Sequence, residues 1–264
     1  MNPIQSKLLL SFCALFCTLL SLEIAFVFLL PQPKELEAHS LNRGRFTRPG
    51  IHHNQSSEFS VSVKVNQQGF VDSEWKKENT DILVLGDSFV QAAQVQEEEG
   101  LGRQMTQFFA QKDQRKNIIS IGVPGAGTVT EFELLKEHSP ILQPKELLLG
   151  FLVDNDIFNN HWDLESKSNK PFYRVQENEL KLFWKENLIN TSFAWQYSNL
   201  FRWGYQRYWR YSEKKRQLSQ RNNIPLPFEV YNPNPSKLWK ESWIITQRIL
   251  REMKNYCLKN NILK

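Results

Sequence analysis

The chain has 264 residues, 41% of them hydrophobic, with 33 Lys and Arg against 28 Asp and Glu for a formal charge of +5. That size suits one sizeable core plus an appendage, and the charge excess is too mild to require a nucleic-acid partner. Its three cysteines, Cys13 and Cys17 in an apolar run and Cys257 alone near the end, exclude a disulfide scaffold.

Residues 8 to 31, "LLLSFCALFCTLLSLEIAFVFLLP", carry one charge, Glu23. A bilayer crossing needs about 20 apolar residues, so the run is long enough to span. No small-x-small cleavage site ends it, and Phe12 and Phe16 precede the two cysteines. An uncleaved signal-anchor over residues 1–30 is therefore the expectation, with a cleaved signal as the alternative. Glu23 is costly at mid-membrane unless it is protonated, faces a partner helix or approaches the interface. Lys7 precedes the span and Lys34, Arg43, Arg45 and Arg48 follow it, a bias that does not set the orientation. No second apolar run of about 20 residues follows, which excludes a multi-span transporter.

Residues 31 to 60 are polar and broken by Pro and Gly, so they read as a linker. "FSVSVKV" alternates with period two and predicts a short strand, and "NQQGFVDSEW" a turn. "TDILVLGD" is a continuous apolar run, the pattern of a strand buried on both faces, and a helix is expected over about 96 to 111. "KNIISIGVPGAGT" predicts a second buried strand, "TEFELLKEH" a helix, and "KELLLGFLVDND" a third strand. This alternation predicts an α/β fold, a parallel sheet with helices on both faces, in a domain over 61–264. From 160 to 235 the pattern gives way to polar, Trp-rich sequence with no clear strand, read as an insertion whose end, 224 to 235, is a Pro-punctuated loop. Ser236 then caps a helix with a stripe at Trp239, Trp243, Thr246, Leu250, Met253 and Cys257. A strand is due after that helix where the sequence stops at "NNILK", so the expected sheet is C-terminally incomplete.

In open α/β sheets ligands bind at the carboxyl ends of the strands. Here those ends carry Gly86-Asp87-Ser88, Gly122 to Thr128, and Asp154-Asn155-Asp156. A hydroxyl, a Gly-rich turn with free N–H groups and an Asn side-chain amide make a nucleophile with oxyanion donors. "GVPGAG" lacks both the Gly-Lys-Ser/Thr ending of a phosphate loop and GxGxxG spacing, so no cofactor is expected, and no metal.

These three blocks in order resemble the SGNH or GDSL hydrolases, within them the bacterial set with an N-terminal membrane anchor. The lead-in Asn66-Gln67-Gln68-Gly69-Phe70 is similar to that set's NxxGFR, with Val71 where Arg is usual. The resemblance covers about residues 60 to 160, and it implies a three-layer, flavodoxin-like domain hydrolysing O-acyl or O-acetyl esters of a polysaccharide, glycoconjugate or lipid. It places the nucleophile on Ser88 and the oxyanion hole on the Ser88 N–H, Gly125 and Asn155. Val153 stands where the third block has Gly. Gly86 and Asp87 shape the turn, with no part for Asp87 in proton transfer expected.

The family's base and its acid lie in a late DxxH block, and none follows residue 161. His39, His52 and His53 precede the first block, His138 lies away from the strand ends, and His161, six residues past Asn155, reads as a loop histidine rather than the base. A fragment of a longer product is the preferred explanation, a naturally silent relative that binds glycan or a partner the alternative. Residues 201 to 221, "FRWGYQRYWRYSEKKRQLSQR", interleave five Trp or Tyr with seven Arg or Lys. They suit sugars, an anionic polymer or lipid headgroups, though an amphipathic helix with solvated cations is the simpler expectation. The expected setting is single-pass in a membrane through residues 8–30, with the domain extracytoplasmic and no nucleic acid bound.

Overall fold

The computed structural model describes residues 3–29, 37–40, 44–75, 80–165, 170–177, 179–185, 189, 192–218 and 226–263. Helix α1 (Pro3–Leu29) comes first, followed by the hairpins β1 (Glu37–Ser40) with β2 (Gly44–Thr47) and β3 (Gly50–Gln55) with β4 (Ser60–Val65). Next come β5 (Ile82–Gly86), α2 (Ser88–Gln91), α3 (Leu101–Ala110), β6 (Ile118–Gly122), α4 (Thr128–Leu142), β7 (Glu146–Gly150) and α5 (Val153–Asn159). The hairpin β8 (Lys170–Gln176) and β9 (Glu179–Lys185) precedes α6 (Phe193–Tyr197), α7 (Asn199–Leu218) and α8 (Lys237–Lys259). These elements divide into two compact units, residues 36–186 with 224–264, and residues 1–35 with 187–223.

The larger unit is mixed α/β around a parallel sheet in the order β6-β5-β7. Every residue of β5 and β6 is buried, as their unbroken apolar runs require. Leu83, Leu85, Ile119 and Ile121 pack on one face against Val129, Phe132 and Leu135 of α4 and Ile245, Ile249 and Met253 of α8. Ile82, Val84 and Ile118 face the other way, against Val90 of α2 and Met105 and Phe109 of α3. Helices therefore cover both faces. After α8, Leu263 N donates to Lys145 O at 2.7 Å and Leu147 N to Leu263 O at 2.9 Å, a parallel bridge at the β7 edge. The chain thus reaches the sheet where the alternation called for the next strand.

The predicted turn after β4 is built around Asn66, which is fully buried. Its Oδ1 accepts from Gln68 N at 3.1 Å and Phe70 N at 3.0 Å, and its Nδ2 donates to Ser73 O at 3.1 Å. Beyond it, Asp72 accepts from Ser120 N at 3.0 Å, tying the turn to β6. Burial pushes the Asp72 carboxyl above its ordinary range, against the pull of that hydrogen bond and Arg103.

Four segments differ from the sequence reading, the first being the β1–β2 hairpin, which lies within the expected linker. Residues 50–55, expected within the linker, form β3, whose side chains are half-buried or exposed, so no apolar alternation marks it. Within 160–235, β8 and β9 form a seven-pair antiparallel ladder turning at Glu177, which holds a φ of +51° without a glycine to signal it. The buried face of α8 runs through Trp239, Ser242, Ile245, Thr246, Ile249, Met253 and Cys257. Trp243 and Leu250 of the predicted stripe sit at its half-buried margins.

In the smaller unit, α1 is the one described helix long and apolar enough to cross a membrane. Its Glu23 carboxylate accepts from Ser198 Oγ at 2.7 Å, Asn199 N at 2.6 Å and Leu200 N at 3.1 Å, capping the start of α7. Phe26 meets Trp203 edge-on at 5.3 Å. Arg202 pins α6 to α7 through Trp195 O at 2.8 Å, Gln196 O at 3.0 Å and Asn199 Oδ1 at 2.7 Å.

Candidate active site

The site begins with a row of glycines. Gly86 at the end of β5 is in register with Gly122 of β6 and Gly150 of β7, and α2 packs on that row. A Cβ at Gly150 would stand 2.8 Å from Val90 Cγ2, and one at Gly122 only 2.6 Å from the Val90 carbonyl carbon. Only glycine lets the short helix carrying Ser88 settle onto the strand ends.

Asp87 is 1% exposed. Its Oδ1 accepts from Phe89 N at 2.9 Å, closing the turn, and its Oδ2 accepts from Asn155 Nδ2 at 2.6 Å. Asn155 Oδ1 in turn accepts from Asn159 Nδ2, which also donates to Ala126 O at 3.2 Å. One continuous chain of hydrogen bonds therefore joins the three strand-end segments. Asp87 does more than shape its own turn: it anchors the third segment to the first.

Ser88 is half-buried. Among the described residues its Oγ has no hydrogen-bond partner, and the N–H groups of Ser88 and Gly125 donate to no protein acceptor. Gly125 holds a φ of +70°, left-handed backbone that a side chain would strain. Lys170 Nζ fixes this turn, donating to Gly125 O at 3.0 Å and to Glu165 Oε2 at 3.3 Å. Lys170 and Glu165 are both buried. Asn155 spends one of its two amide hydrogens on Asp87 and retains the second.

Beneath the site lies Glu131 of α4, fully buried, with neither carboxyl oxygen hydrogen-bonded among the described residues. Burial, then the charges of Asp156 and Asp87, pushes its carboxyl well above the ordinary range. Asp156 itself accepts from Leu152 N at 2.8 Å. Among the described residues no group of three or more His, Cys, Asp or Glu is placed to hold a metal ion.

Among the described residues no histidine joins Ser88. His161 Nε2 lies 3.3 Å from Glu241 Oε2, and its Nδ1 accepts from Asp163 N at 3.2 Å. Together with Trp162, Tyr173, Arg174 and Arg248, His161 and Glu241 line a cavity of about 430 Å³. His138 packs edge-on against Phe70 and Trp75, and His52 and His53 bond to Arg48 O at 2.5 Å and Ser60 Oγ at 3.3 Å. The side chains of His39 and Asp154 lie outside the described residues.

Sequence reasoning missed Glu131, Asn159 and Lys170. Asn159 carried a local signal, standing one helical turn after Asn155 in "DNDIFNN". Lys170 and Glu131 carried none, since Gly125, which Lys170 meets, and Asp156 and Asp87, whose charges act on Glu131, come from other elements. Comparison of the chain with family models, with curated proteins and with solved structures gives no match.

Proposed function

We propose that this chain is a membrane-anchored, SGNH-type serine hydrolase, with a three-layer flavodoxin-like domain that cleaves O-acyl or O-acetyl esters. The observation that carries the reading is the hydrogen-bond chain from Asp87 through Asn155 and Asn159 to Ala126, beside a half-buried serine and two N–H groups without acceptors. In this reading Ser88 Oγ attacks the carbonyl carbon and gives its proton to a base. The Ser88 and Gly125 N–H groups and the second amide hydrogen of Asn155 receive the oxyanion. The C–O bond then breaks, the alcohol leaves with a proton, and water hydrolyses the acyl-serine. The reading assigns the base to none of the described residues. A polysaccharide, glycoconjugate or lipid ester is the proposed substrate, and α1 the anchor of an extracytoplasmic domain. Retention of α1 is supported by Glu23, whose carboxylate satisfies the start of α7.

One observation favours a second reading, a catalytically silent domain that binds glycan. The cavity beside His161 presents Trp162 beneath the Arg174 guanidinium, 4.6 Å from ring to Cζ, an aromatic and polar lining suited to a sugar ring.

The 264-residue chain in detergent micelles, treated with a fluorophosphonate probe and a generic acetyl ester, tests both. Modification at Ser88, with turnover lowered on the order of 10³-fold or more in Ser88→Ala, supports the hydrolase. No modification and no Ser88-dependent turnover, with oligosaccharide binding that Trp162→Ala abolishes, overturns it in favour of the second.

A further inference from the structure

The basic aromatic helix α7 is the feature that the hydrolase reading leaves unused. Within its own unit it is bound to α1 through Glu23, and most of its aromatic side chains are not buried. Phe201, Tyr208 and Tyr211 stand at i, i+7 and i+10, on one side of the helix, and Tyr208 and Tyr211 are 68% and 69% exposed. Phe193 and Tyr197 of α6 are exposed as well, their rings 4.6 Å apart. Residues 201 to 221 set seven Arg or Lys against a single Glu, and Arg207 and Arg210 lie away from the Phe201 and Tyr208 side of α7.

We infer that α6 and α7 lie in the surface of an anionic bilayer, docked on the membrane-spanning helix by the Glu23 cap. The inference rests on the reading of α1 as a retained membrane anchor. The geometry sets the depth. At about 1.5 Å per residue the 27 residues of α1 extend ~40 Å, against a hydrocarbon core of about 30 Å. Glu23 lies six residues before Leu29, roughly 9 Å along the axis, which for a centred helix is about 4 Å inside the hydrocarbon boundary. Interfacial helices bury their apolar faces to a depth of about 5–10 Å at that boundary.

The chemistry agrees with that depth. A carboxylate so near hydrocarbon is costly unless satisfied, and the three donors at the start of α7 satisfy it while it satisfies two orphan N–H groups of that helix. Tyr and Trp suit the headgroup layer, with an apolar ring and a polar edge. Arg and Lys match anionic headgroups. α7 is too polar to span a bilayer itself, with seven charged residues between Arg202 and Arg216.

The test reads depth by nitroxide accessibility in the full chain, with Cys13 and Cys17 replaced by alanine. Spin labels go on Tyr208→Cys and, as the anchor control, on Leu15→Cys. The protein is reconstituted in vesicles of mixed phosphatidylcholine and phosphatidylglycerol, and collisions with oxygen are compared with those of a water-soluble nickel chelate. The expected result is loss of nickel collision and retention of oxygen collision at both positions. In a Glu23→Leu background the position-208 label is expected to regain nickel collision while the position-15 label does not.

A position-15 label in lipid with a position-208 label open to nickel overturns the inference and leaves the anchor standing. A position-15 label open to nickel overturns the anchor, and the inference with it. A position-208 label shielded from both reagents means that protein covers α7, which overturns the lipid occupant. An unchanged position-208 label in the Glu23→Leu background overturns the docking role of Glu23.

Discussion

The Ser88 turn and the His161 cavity each hold groups that the proposed hydrolysis would need, and they hold different ones. At the turn there is a hydroxyl with free N–H donors beside it and, among the described residues, no imidazole. In the cavity there is an imidazole oriented by the Glu241 carboxylate and no serine or threonine in the lining. Asn155 and His161 are six positions apart, yet α5 runs on to Asn159 and carries the chain roughly 6 Å along its axis, at about 1.5 Å per residue, before His161 leaves it. Closeness in sequence across a helix therefore separates side chains that a loop of equal length would let meet.

Substitution can break this comparison, and the largest effect is expected where the two halves differ most. Ser88→Ala should abolish fluorophosphonate modification, while His161→Ala should leave it unchanged, as intact-protein mass spectrometry would read. If His161→Ala abolished it as well, the two regions would be one site.

Lys170→Met should follow. It removes the Lys170 partner of the buried Glu165 carboxylate and releases the Gly125 turn, a loss of about 3–5 kcal/mol for breaking a buried ion pair, measured as a lowered urea midpoint for the larger unit. A midpoint equal to wild type would mean that Lys170 supports neither the turn nor the core.

Asn155→Ala removes a hydrogen bond to a buried carboxylate and should cost about 1.5–3 kcal/mol by the same measurement. Combined with Asp87→Asn, the loss should be less than additive, because both changes cut one bond. Additive losses would uncouple the first and third strand-end segments.

The last effect is a slope. Glu131 titrates higher in the folded chain than in the unfolded one, where its ordinary value is 4.5, so folding takes up a proton above that pH. Its contribution is complete below 4.5 and erodes as pH rises toward the value at which the folded group ionises. Glu131→Gln should flatten this part of the stability profile across mildly acidic pH, and an unchanged slope would show that Glu131 folds already ionised.

Much of the scaffold was legible because its signals are local. Unbroken apolar runs announced β5, β6 and β7, glycines marked their ends, and the clusters Gly86 to Ser88, Gly122 to Thr128 and Asp154 to Asp156 were placed by position after each strand. β3 was hidden because an exposed edge strand needs no apolar alternation, and the β8–β9 hairpin because Glu177 turns it where a glycine signal was sought. In α8 the helical period was right, while the buried line was shifted by which side meets α4 and α5: Ser242, a polar residue, is buried because its hydroxyl donates to Ile157 O.

The sequence by itself determined the long apolar N-terminal helix, the alternation of strand and helix, and the three small or polar strand ends, since each depends on residues within a few positions of one another. Only the tertiary structure decided how those residues are used. It tied the Asn155 amide to Asp87, pointed His161 at Glu241, aimed Lys170 at the Gly125 carbonyl, buried Glu131 beneath the turn and set Glu23 at the start of α7. Each of those contacts joins elements distant in the chain, and their distances depend on strand register and helix packing, which no local pattern encodes.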